Sequence, residues 1–169
     1  VTPPKGENWV YFQRPMPPFV TFRKQDPLIR RLPGSEHLAF VVEIRLEHFP
    51  DSDLSTQEGL EETLKSSLYS ALGDGRQIGM FRAESFAWQG TDCLSYIVTR
   101  SDLVTLDREK IVLEFATEGF FCRHPLDRQR VVSGMFQERR LAGTPSRRDD
   151  VPRDEGQRTL QSVLFLPEY

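Results

Sequence analysis

Cysteine is almost missing from this 169-residue chain: Cys93 and Cys122 are the only two, too far apart for a CxxC redox or zinc motif. Long apolar runs are missing as well. The longest, Leu38 to Val42, has about five residues, whereas a membrane-spanning helix needs about 20. Nor does charge of one sign dominate, since 22 basic and 25 acidic residues leave a formal net charge of −3. Bulk electrostatic attraction to a polyphosphate is thereby excluded, and nucleic acid is not an expected partner. The three histidines, His37, His48 and His124, include no pair at the i, i+4 spacing of a helical metal site. Ser85, Ser95, Ser101 and Ser133 lack the glycine context of a nucleophile elbow. Gly73-Asp-Gly75 follows a helical pattern instead of opening one, so it reads as a helix stop and not as a phosphate loop. No cofactor, metal or catalytic residue is therefore expected.

What the chain does contain is core material. Hydrophobic residues make up 38% of it and Phe alone contributes 12, far more than a disordered chain carries. Its length fits one domain of the usual 100–200 residues. Seven of the 12 prolines fall within the first 33 residues, where each removes an amide donor and restricts its predecessor. Residues 1–18 thus read as an extended Pro-rich arm, and Phe19-Val-Thr-Phe-Arg as an edge strand. A single domain is expected over 19–169.

Hydrophobic periodicity then sets the element order. Leu38–Phe49 alternates, with Val42, Ile44, Leu46 and His48 on one face and Val41, Glu43, Arg45 and Glu47 on the other. The second row reads as a solvated, salt-bridged surface. Ser55 and Glu58 match a capping box, predicting a helix from Thr56. Leu60, Leu64, Leu68 and Leu72 make its apolar face. Gln77–Trp88 and Cys93–Arg100 read as a hairpin, and Lys110–Cys122 and Arg130–Arg139 as further strands. The stretch 141–157, rich in Gly, Pro and charge, reads as a mobile surface loop. Leu160, Val163 and Leu164 share one face of a closing helix over 159–166. The expected fold class is α+β, a twisted antiparallel sheet covered by one long helix and a C-terminal helix.

That element order resembles the PsbP-like α+β fold. Gly90-Thr-Asp-Cys93, Gly119-Phe-Phe-Cys-Arg-His-Pro125 and Glu138-Arg139-Arg140 resemble a pattern in small uncharacterised exported bacterial proteins, many of them lipoproteins. The resemblance implies a cell-envelope protein without established activity, in the periplasm or held to the membrane by a lipid. A first residue that is not Met fits a chain released from a leader.

Four sets of residues are candidates for function. Cys93 and Cys122 read either as one disulfide or as two buried thiols. Cys122 beside His124 also raises a thiol-dependent enzyme, because a neighbouring cation favours the thiolate. His124 and Asp127 form a possible polar site. Trp9, Tyr11, Phe12 and Phe19, in or beside the arm, and Trp88, at a hairpin turn, are possible contacts for an unknown protein partner in the envelope. The leading expectation is a non-enzymatic binding or assembly module, and the alternative is a carrier of a small apolar ligand between helix and sheet.

Overall fold

The computed structural model describes residues 1–12, 19–24, 38–70, 76–106, 109–147 and 151–165. Seven strands form one sheet: β1 (Trp9–Phe12), β2 (Phe19–Lys24), β3 (Ala39–His48), β4 (Arg76–Trp88), β5 (Thr91–Leu106), β6 (Glu109–Arg123) and β7 (Arg130–Leu141). Helix α1 (Gln57–Ser70) lies between β3 and β4 in sequence, and α2 (Val151–Gln161) follows β7. The spatial order is β1-β2-β3-β7-β6-β5-β4, and every pairing is antiparallel.

This architecture corrects the expected fold class. The described residues form mostly a seven-stranded antiparallel sheet with two short helices, not a sheet covered by one long helix. The reason is dimensional. Seven strands spaced about 4.8 Å apart span roughly 29 Å, whereas one helix is only about 10 Å across. With 14 residues, α1 has a length of about 21 Å at 1.5 Å per residue. Among the described residues, part of the face beneath it therefore stays uncovered.

Alternation along each strand gives the sheet two apolar faces. Phe22, Phe40, Val42, Phe120 and Phe136 point to one side and pack with Leu160 and Val163 from α2 and the segment after it. On the other side Leu94, Tyr96, Val98, Phe121 and Val131 pack with Leu54, Leu60 and Leu64. The Leu60/Leu64/Leu68 spacing places α1 as its pattern predicts, although the cap shifts by one residue. Thr56 Oγ1 accepts the Gly59 amide at 3.0 Å, while the Ser55 amide donates to Asp53 Oδ1 at 2.9 Å. Leu72, Gly73 and Gly75, the expected helix end, lie outside the described residues.

Two further elements stand where the sequence reading has an arm and a loop. Trp9–Phe12 pairs with β2 as the edge strand β1, and Val151–Gln161 is helical. The buried positions of α2 are Pro152, Glu155, Gly156, Thr159 and Leu160. Their spacing is helical but their chemistry is mostly polar, so hydropathy gives no signal. Gly156 is required by contact, because a Cβ there would lie 2.5 Å from the Phe136 ring. The predicted helix over 159–166 thus sits about two turns too late.

Cys93 and Cys122 face each other in the β5–β6 register and form a disulfide. Their sequence separation of 29 residues corresponds to a stabilisation of about 3–4 kcal/mol by chain entropy. Between β4 and β5 the chain reverses through Gln89 and Gly90, both at positive φ (51° and 79°), as a two-residue hairpin turn demands.

Candidate functional site

Beneath α1, where the helix stops covering the sheet, a cleft of about 290 Å³ opens. Leu64, Ser67 and Leu68 of α1 form its roof, and β3, β7, β6 and β5 form its floor. Glu43, Arg45 and Glu47 all enter it from one face of β3. This row was expected to be a solvated surface. Instead Glu43 is 2% exposed and Glu47 is half-buried, because β2 and β7 flank β3 in a sheet with both faces occupied.

The row is held by specific partners. Arg45 Nε donates to Glu43 Oε1, and the Thr21 hydroxyl donates to Glu43 Oε2 at 3.2 Å. Ser133 Oγ donates to Glu47 Oε2 at 2.8 Å, and Arg45 Nη1 stands 3.9 Å from Glu47 Oε1. Tyr96, directly opposite Gly119 on β6, completes the polar floor. Burial pushes its phenol above the ordinary tyrosine range; Arg45 opposes that shift while Glu47 and Glu43 reinforce it. Val98, Phe121, Ile78 and Met135 supply apolar wall between these groups. The cleft can therefore meet a hydrogen-bonding group and an apolar group of the same small molecule.

The residues singled out from sequence fall elsewhere. Trp9 donates its indole N–H to Glu155 Oε2 at 2.6 Å, and Lys24 lies 5.4 Å from its ring centroid. Tyr11 remains 53% exposed although its ring approaches Phe22. The side chain of Phe12 lies outside the described residues. Half-buried Phe19 carries Arg45 over its ring at 5.4 Å. Trp88 packs edge-on against Phe120 and near Phe165, with centroids at 4.9 and 5.8 Å.

His124 and Asp127 build the β6–β7 turn. His124 Nδ1 accepts the Leu126 amide at 3.3 Å, and Asp127 Oδ1 accepts the Gln129 amide at 2.9 Å. Arg130 pairs with Asp127 at 3.1 Å. Cys122 is completely buried and bonded to Cys93, so in this state it has no thiol to act as a nucleophile. Among the described residues no cluster of three or more His, Cys, Asp or Glu is gathered as metal ligands would be, and no helix is long and apolar enough to cross a membrane.

Sequence reasoning misses the cleft although it notices Glu43, Arg45 and Glu47. The signal was their position on one strand face. Their enclosure depends on strands and a helix distant in sequence. No protein-family model matches the chain, and no curated protein matches it.

Proposed function

We propose that this chain is a non-enzymatic binding module of the cell envelope that holds a small amphipathic ligand in the cleft beneath α1. One observation carries the reading: carboxylates and a guanidinium on β3 stand beside an unfilled space of about 290 Å³ with apolar walls. That volume is at the lower end of small-molecule sites, which run from about 300 Å³ upward. An entirely apolar ligand fits this floor poorly, because the partly exposed Arg45 and Glu47 would lose hydration without a compensating polar contact from it. The aromatic arm is the weaker docking candidate, since Trp9 and Trp88 use their rings inside the fold.

The Cys93–Cys122 bond supports an oxidising compartment, in keeping with export to the periplasm or attachment at a membrane surface through a lipid. A PsbP-like relationship belongs to the same proposal and rests on element order. The test is thermal denaturation of the whole chain against a panel of small amphipathic compounds, compared with S67W, which fills the cleft from its roof. A ligand that raises Tm for the native chain and not for S67W supports the reading. A panel that stabilises both equally, or neither, overturns it.

A further inference from the structure

The two edges of the sheet are defended unequally. At one end β1 has only 4 residues and follows Asn8, whose φ is 67°, so it offers a neighbour little to pair with. At the other end β4 runs for 13 residues, contains neither proline nor lysine, and among the described residues has nothing paired to its outer side. Its one irregularity, a register shift between Ile78 and Phe81, lies near its start and leaves Phe81–Trp88 in regular pairing with β5. A long regular edge without such blocking residues is a template for another strand.

The hairpin turn decides which backbone groups that edge offers. Trp88 and Thr91 close the two-residue turn through Gln89 and Gly90, and in such a turn the closing pair exchanges its hydrogen bonds. Alternation then turns the amides and carbonyls of Phe86, Glu84 and Arg82 toward β5, and those of Ser85, Ala83 and Phe81 outward. A second copy of β4, run antiparallel about a twofold axis at Ala83, sets Arg82 opposite Glu84, Met80 opposite Phe86 and small Gly79 opposite small Ala87. The match is chemical as well as geometric. Arg82 and Glu84 are exposed, and among the described residues neither takes part in an ion pair. Met80 and Phe86 are each 38% exposed, which leaves apolar surface in water that this pairing covers.

We propose that β4 is the edge through which two copies of this chain pair, antiparallel about Ala83, joining two seven-stranded sheets into one. An extended peptide can add to any free edge, but the charges on this strand are self-complementary: Arg82 meets Glu84 of the second copy on both sides of the axis, as a twofold interface requires. Room for the pairing exists. Helix α1 rests on β5, so the two copies of the helix stand about three strand spacings apart, roughly 14 Å, against a helix diameter of about 10–12 Å. The pairing does not depend on any ligand in the cleft.

Sedimentation velocity of the whole chain over a concentration series is the test, with amide hydrogen exchange as a second readout. A monomer–dimer equilibrium is expected, and the amides of Ala83 and Ser85 should exchange more slowly as dimer accumulates. R82E and E84R each set like charges opposite one another on both sides of the axis, and each should weaken dimerisation about tenfold. The charge swap R82E/E84R restores both pairs and should return the affinity to within about threefold of the native chain. Near-ultraviolet circular dichroism checks that each variant folds. A chain that stays monomeric into the millimolar range overturns the proposal. So does a dimer that R82E and E84R leave unchanged, that R82E/E84R fails to restore, or that forms without slowing the Ala83 amide, since another surface then carries it.

Discussion

Glu118, Glu138 and Glu155 on the α2 side of the sheet, and Glu43 on the α1 side, are all withdrawn from water, and Glu47 beside Glu43 partly so, yet their surroundings differ. Glu118 receives two parallel bonds from Arg153, at 2.7 and 2.8 Å, and a third from Gln157. Glu138 accepts from Arg140, from the Ser146 hydroxyl and from the Arg147 amide. Glu155 accepts from Trp9 and Lys24, both at 2.6 Å. Each of these carboxylates joins segments distant in sequence: Glu118 holds α2 to β6, Glu138 holds the segment after β7, and Glu155 holds α2 to β1 and β2. The α1-side carboxylates are also partnered, but they border a space. Burial of charge costs several kcal/mol per ion unless partners offset it, so a carboxylate surrounded by donors from distant segments holds a fold together. A carboxylate lining a cleft is placed where a ligand can reach it.

Adjacent residues of β7 offer the most direct way to break this comparison. Phe136 is 1% exposed and stacks on Phe40 at 6.1 Å, whereas Met135 points into the cleft. Phe136→Ala should cost about 3–5 kcal/mol, and Met135→Ala only about 1 kcal/mol because it enlarges an existing space. Urea denaturation of both variants measures the gap; equal losses would mean that the two faces are equally filled.

A smaller difference is expected from charge. Glu155→Gln leaves Lys24, whose side chain is 8% exposed, without its counter-ion and should cost about 3 kcal/mol. Glu47→Gln, beside the cleft, should cost no more than about 1 kcal/mol. If Glu47→Gln proves the more damaging, the α1-side row is structural and its link to a ligand falls.

The subtlest effect is a titration. Burial raises the folded-state value for Tyr96 above that of the unfolded chain. The folded form therefore keeps a proton that the unfolded form releases above an ordinary tyrosine value of about 10. Any stability tied to this group is fully present below pH 10 and declines as pH rises beyond it. Tyrosinate absorbance should show a late step, in which Tyr96 ionises only as the protein unfolds. Removal of the late step in Y96F would assign it, and its persistence would refute the assignment.

Several elements were legible because local rules act on contiguous residues. Alternation marked β3, leucine spacing marked α1, and turn residues separated β4 from β5. Helix α2 was not legible: its inward face uses Glu155, Gly156 and Thr159, whose burial is offset by Trp9, Lys24 and Phe136 from elsewhere in the chain. Strand β1 was hidden for a similar reason, since prolines nearby suggest an arm, while pairing with β2 supplies the hydrogen bonds that make Trp9–Phe12 a strand.

The sequence by itself determined the periodicities: which residues of β3 and α1 share a face, and that two cysteines stand in strand-forming stretches. Only tertiary structure decided what each face meets. Pairing across the sheet placed Cys93 opposite Cys122. The width of seven strands against one short helix left Glu43, Arg45 and Glu47 at a cleft instead of in a core or in open solvent. Periodicity is a property of neighbours along the chain, whereas enclosure requires surfaces that the chain brings together from far apart.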